Sequence, residues 1–124
     1  MIKKLPDAEF EVMKVIWENK PPITSITIME QLGKEKGWRA PQTAITLLLR
    51  LVERGFLRTE KNSKERGYYP LVTKEDYLKF ETENFLKIYH ENSFASFVST
   101  LYDNADISEK HMEEIIKIIK EKGE

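Results

Sequence analysis

Apolar residues recur at helical spacing from the start of the chain. Phe10, Met13 or Val12, Ile16 and Trp17 form one stripe within AEFEVMKVIWEN. Asp7 stands ahead of it as a good N-cap, with Glu9 in the first turn. Pro21 and Pro22 stop that helix. A second, shorter pattern carries Ile28, Met29 and Leu32 through ITIMEQLGKEKG, with Thr24 or Ser25 as its cap and Gly37 as its stop. A third opens at Pro41, a residue suited to the first helical position, and runs through PQTAITLLLRLVER to Gly55, placed as a C′ glycine.

The third pattern has two unlike sides. At 100° per residue, Gln42, Thr43, Thr46, Arg50 and Glu53 share one arc of ~100°. Ala44, Ile45, Leu47, Leu48, Leu49, Leu51 and Val52 fill the rest, an apolar side of ~200° expected to lie against both preceding helices and the segment C-terminal to it. The next residues change period. Phe56 to Lys61 and Tyr68 to Val72 have the aromatic and β-branched character of strands, and the polar stretch Asn62 to Gly67 between them reads as a hairpin loop. Pro70 marks the second strand as an edge or as ending there.

From Thr73 onward only helical spacing remains. Thr73 opens a capping box, and Tyr77 or Leu78, Phe85, Leu86 and Tyr89 continue the stripe. Phe94, Phe97, Val98, Leu101 and Tyr102 form a second stripe. Met112, Ile115, Ile116, Ile118 and Ile119 form a third, capped by Ser108. The pattern therefore predicts a mainly α chain with an α+β N-terminal half. A winged helix-turn-helix with a two-stranded wing occupies residues 1–72, and a three-helix lobe occupies residues 73–124. A lobe of that size is too small to bury three stripes by itself, so Tyr77, Phe85, Phe94, Phe97, Val98, Leu101, Tyr102, Ile115, Ile116 and Ile119 are expected to join two copies into a homodimer.

Charge sharpens this division. The net charge is −1, yet residues 1–72 carry 13 Lys and Arg against 9 Asp and Glu, while residues 73–124 carry 7 against 12. A basic head joined to an acidic tail assigns phosphate binding to the head. Gln42 suits adenine, Thr43 and Thr46 suit thymine methyls or phosphates, and Arg50 suits guanine or phosphate. Arg39, Lys61, Lys64 and Arg66 flank this helix as phosphate contacts. The expected partner is double-stranded operator DNA. A two-fold dimer would present two such helices about 34–36 Å apart and read an inverted repeat. The alternative reading is a winged-helix protein-interaction module, with the polar arc facing another chain.

Catalysis finds no footing in this sequence. The chain has no cysteine and only two histidines, and it lacks a Gly-rich phosphate loop and a nucleophile elbow. No enzyme, cofactor or metal site is expected. The longest apolar stretches are too short to span a membrane, and the N-terminus has no signal-peptide core. These features lead to the expectation of a cytoplasmic protein without membrane insertion.

The assembled motifs resemble the penicillinase-repressor family, the BlaI/MecI/CopY type of bacterial winged-helix repressor. The resemblance is most specific in LPDAEFEVMKVIW from Leu5, in the Thr43, Thr46, Arg50 and Leu51 pattern after Trp38, and in the wing start from Arg54 to Leu57. It implies a dimeric repressor of β-lactamase or related resistance genes, bound to a palindromic operator. It also implies release through a membrane sensor-protease pathway that leads to a cut in the dimerisation lobe. The matching peptide is Thr100-Leu101, which departs from the Asn-Phe pair of the β-lactam-responsive branch. Without cysteine the chain also departs from the copper-responsive branch.

Overall fold

The computed structural model describes residues 2–34, 41–62, 65–103 and 108–123. Its elements run in order as α1 (Asp7–Trp17), β1 (Ile23–Thr24), α2 (Ser25–Gly33), α3 (Pro41–Glu53), β2 (Leu57–Asn62), β3 (Glu65–Pro70), α4 (Lys74–His90), α5 (Phe94–Asp103) and α6 (Glu109–Lys122). The chain forms two compact units, Met1–Glu81 and Thr82–Glu124. The division therefore falls inside α4, later than the expected boundary after residue 72.

Local chemistry explains most element ends. The Thr24 hydroxyl accepts from the Thr27 N–H at 3.2 Å and starts α2, and Ser108 caps α6 by accepting from the His111 N–H at 3.3 Å. The Thr73 hydroxyl accepts from the Asp76 N–H at 3.1 Å ahead of α4. Asp7 does not cap α1. It is the first helical residue, and Pro6 takes the cap position without a side-chain bond. Asp7 and Glu9 still favour the positive end of the helix from within its first turn. At the far end of α3, Gly55 adopts φ +82°. Its N–H reaches the Val52 carbonyl at 3.1 Å, and the Phe56 N–H reaches the Leu51 carbonyl at 2.9 Å. Both bonds belong to a Schellman motif, which needs the left-handed residue that glycine supplies without strain. The turn delivers the chain directly into β2.

The sheet has three antiparallel strands in the order β1-β3-β2, the expected two-stranded wing of β2 and β3 with the short β1 added beside it. β1 is only two residues long, pairing Ile23 with Tyr68 and Thr24 with Gly67. Gly67 suits this join, because a Cβ there would lie 3.0 Å from the Pro22 Cβ. The strands of the wing also reach further than expected. Glu60 pairs with Gly67, Lys61 with Arg66 and Asn62 with Glu65, so much of the expected loop is ladder. Pro70 ends the central strand, beyond the stretch that β1 pairs.

The core of the first unit gathers Val12, Met13, Ile16, Ile28, Leu32, Leu48, Leu51, Phe56 and Leu57, all nearly solvent-free. Tyr77, at 3% exposure, belongs to this core. Its ring lies 5.7 Å from Phe10, 5.9 Å from Trp17 and 5.7 Å from Phe56. Its hydroxyl accepts from the Leu5 N–H at 2.8 Å. Helical spacing alone assigns Tyr77 to the dimer surface. The structure corrects this, because the first turn of α4 closes the head and buries the ring there. Among the described residues of the unit Glu9 is the buried charge, at 1% exposure, and it accepts from Arg54 Nε at 2.6 Å. This pair ties the start of α1 to the end of α3.

The second unit is built differently. Phe85 and Phe97 meet edge to face at 6.1 Å, and the His90 ring lies 5.6 Å from each of them. His90 Nδ1 also hydrogen-bonds the Ser96 hydroxyl at 2.9 Å. Yet among the described residues of 82–124 none is buried.

Candidate nucleic-acid interface

The candidate interface rests on α3, which is supported from one side by α1, α2 and β2. Ala44, Leu47, Leu48 and Leu51 are buried and occupy one ~100° arc of the helix. The opposite side faces solvent. Thr46 and Arg50 are exposed there, and Thr43 is half-buried at the margin. Gln42 lies on the first turn of α3, while its side chain and all of Arg39 fall outside the described residues.

The apolar side of α3 is narrower than its sequence implies. Ile45 is 44% exposed and Leu49 is 58% exposed. The three supporting elements reach only about a third of the helix circumference, so these two side chains are left among the polar ones. The solvent face of α3 is thus a mixed surface with hydrogen-bonding groups and two aliphatic knobs.

The wing separates its charges by strand period. Alternate residues point to opposite faces of a sheet. Leu57, Thr59 and Lys61 share one face of β2 with Arg66 and Tyr68 of β3, the face whose inner end meets the core. At the outer end of this face stand Lys61 and Arg66, both exposed and directly paired. The other face holds Arg58, Glu60, Tyr69 and Glu65. Arg58 stacks 4.0 Å over the Tyr69 ring and is hydrogen-bonded to Glu60, so its charge is spent within the wing. The basic face is therefore the one carrying Lys61 and Arg66. Lys64 lies outside the described residues.

The residues expected at a dimer surface, Tyr77 apart, lie on the second unit. Phe85, Phe94, Tyr102, Ile116 and Ile119 are exposed, and Phe97, Val98, Leu101 and Ile115 are half-buried. Ile88, Tyr89 and Ile118 are also exposed, at 61%, 66% and 53%. Sequence spacing marks Tyr89 and Ile118 as apolar positions without assigning them to the surface. Thr100 is exposed and Leu101 half-buried, both within α5. Among the described residues, no helix is long and apolar enough to cross a membrane.

Comparison with known proteins agrees with this geometry. A family model described as penicillinase repressor matches residues 5–121. The chain is 32% identical over 123 residues to the penicillinase repressor of Bacillus licheniformis, covering 97% of this chain and 94% of that protein. It is 33% identical over 120 residues to the methicillin resistance regulatory protein MecI of Staphylococcus aureus strain N315, covering 96% and 95%. Among solved structures, the DNA-binding domain of the repressor BlaI matches with a TM-score of 0.53 and 38% identity, over 62% of this chain and 94% of that one. The monomeric form of Bacillus licheniformis BlaI in complex with the blaP half-operator matches with a TM-score of 0.52 and 38% identity, over 62% and 92%.

Proposed function

The chain belongs to the penicillinase repressor family, which comprises DNA-binding transcriptional repressors and not enzymes, and from that premise we propose that it silences its target genes as a homodimer on a palindromic operator. Each head inserts the solvent face of α3 into a major groove, where Thr46 and Arg50 meet base edges or phosphates. Lys61 and Arg66 on the wing meet the phosphate backbone beside it and fix the register. The observation that carries this reading is the solvent face of α3, held out by a buried opposite arc and carrying groove-compatible side chains. The half-operator bound by monomeric BlaI is consistent with one head per half-site.

Pairing through the second unit is supported by its lack of a buried interior among described residues. Exposed Phe94, Tyr102, Ile116 and Ile119 would lose water contact only against another surface. Phe94, Ile116 and Ile119 are already about half covered, so covering the rest gains roughly half of the ~1.5–3 kcal/mol of full burial for each. A second copy offers the same stripes, and a closed two-fold contact satisfies both at once. We further propose β-lactamase or related resistance genes as targets, acting in the cytoplasm, with release by a membrane sensor-protease pathway that ends in a cut at Thr100-Leu101. That peptide is helical, and the Thr100 hydroxyl donates to the Ser96 carbonyl at 2.9 Å. A protease would therefore act on a locally opened α5, and the cut would divide the dimerising stripe.

Selection of bound fragments from the host's DNA, with sedimentation of the free protein, tests the central reading. The expected result is a dimer and an inverted repeat with half-sites about 34–36 Å apart. A monomer at all concentrations, or sites without symmetry, would overturn it. Binding to no duplex at low salt would favour the protein-interaction module. Persistence of the intact chain in cells exposed to a β-lactam would remove the cleavage step alone.

A further inference from the structure

Resting on the groove-binding reading, we infer that Ile45 and Leu49 read thymine, contacting its C5-methyl group in the major groove and setting part of the sequence preference. Both side chains stand on the solvent face of α3, 44% and 58% exposed. They are one helical turn apart, so they form a short aliphatic ridge along the helix. Around the axis Leu49 lies about 60° from Thr46 and about 40° from Glu53, within the arc that faces outward. A helix seated by Thr46 thus brings Leu49 toward the base edges, with Ile45, about 100° from Thr46, at the margin of that face.

The chemistry selects the occupant. Aliphatic groups in water are unfavourable, and no described part of the head covers these two. In the major groove the exposed apolar group is the thymine methyl; the other base-pair features there are hydrogen-bond donors and acceptors. A cytosine at the same place carries only a hydrogen at C5, so the aliphatic contact to the methyl is lost. Among the described residues, Arg50 on the same helix and Lys61 and Arg66 on the wing, all exposed, outnumber the one carboxylate of Glu53 on this face, so the charge complements a polyanion and disfavours an apolar protein surface as the covering partner.

Replacement of thymine by deoxyuridine removes only the methyl group and tests the inference directly. A duplex recovered by the intact protein from randomised DNA is the probe, remade with each thymine replaced in turn. At one or two positions per half-site, loss of the methyl should weaken binding about four-fold, the effect of ~0.8 kcal/mol. Ile45→Ala and Leu49→Ala, both at solvent-facing positions, should each bind the thymine duplex more weakly. Each should also abolish the penalty at one of those positions. An unchanged far-UV spectrum and melting point would show that the head is intact. If every deoxyuridine duplex binds like its parent, or if both variants keep the wild-type penalties, the inference fails while operator binding itself stands. If the wild-type protein recovers no duplex, the groove-binding reading fails and takes this inference with it.

Discussion

Lys61 and Arg66 stand directly opposite each other across the wing, like charge against like charge. Such cross-strand pairs are destabilising, and only two residues lie between their strands. A polyanion passing this face would relieve the repulsion. Lys61→Glu converts the pair to opposite charges and should raise the stability of the free protein by ~0.2–1 kcal/mol. The same change should weaken binding to every duplex, and Lys61→Ala should lower the salt slope of binding by about one. Thermal melts of the free protein, read beside binding at several salt concentrations, separate the two effects. A variant that is more stable and binds as tightly as wild type would exclude this pair from the interface.

Arg50 is expected to behave differently from Lys61. If it contacts a base, Arg50→Ala should cost ~1–3 kcal/mol on the preferred site and relax preference at one base pair. Competition between the selected duplex and single-base variants measures this. An equal loss on all sequences would assign Arg50 to phosphate.

The Glu9–Arg54 pair makes a prediction about stability. Arg54→Ala would leave a 1% exposed carboxylate without its partner. Removal of one member of a buried pair costs ~3–5 kcal/mol, and the 38% exposure of Arg54 places this case near the lower figure. The double change Glu9→Gln with Arg54→Ala should recover part of that loss. Urea unfolding of the three proteins would show it. Equal stability of Arg54→Ala and wild type would mean that the pair contributes nothing.

Tyr77 links the head to pH. Burial raises its pKa above the ordinary 10.0, partly offset by the hydrogen bond from the Leu5 N–H, with Glu81 also raising it and Lys4 lowering it. The folded state thus holds this proton more tightly than the unfolded chain. Its contribution to stability is complete below pH 10.0 and declines as pH rises beyond that value. Tyr77→Phe should remove this part of the alkaline decline. It should also cost ~1–3 kcal/mol at neutral pH by leaving the Leu5 N–H unpaired. Urea midpoints measured from pH 7 to 11 would check both effects, and an unchanged alkaline limb would contradict the first.

Much of the fold was legible because its signals are local. Thr24, Thr73 and Ser108 cap helices through their own neighbours. Gly55 supplies a positive φ where the apolar pattern ends. Thr46 and Arg50 were readable as outward-facing from helical period alone. Features that depend on distant partners were not. β1 is too short to show a period and exists only through β3. The charged ends of β2 and β3 read as loop because their pairing is set across strands. Spacing marks Ile45 and Leu49 as apolar, but only the placement of α1, α2 and β2 shows that they stay uncovered. Tyr77 likewise has a helical position that does not reveal which body its ring enters. Glu9 and Arg54 are separated by 45 residues, and nothing in either segment names the other.

A tail in which no described residue is buried makes abundance a thermodynamic variable if two copies pair through it as proposed. The head should melt at a temperature indifferent to dose, whereas the tail should melt higher as more protein is added, because mass action favours the joined form. Few copies would leave single heads that grip one half-site and let go quickly. A modest rise in copy number would convert them to clamps with two grips, so gene silencing should switch on more steeply than the affinity of one head alone would allow.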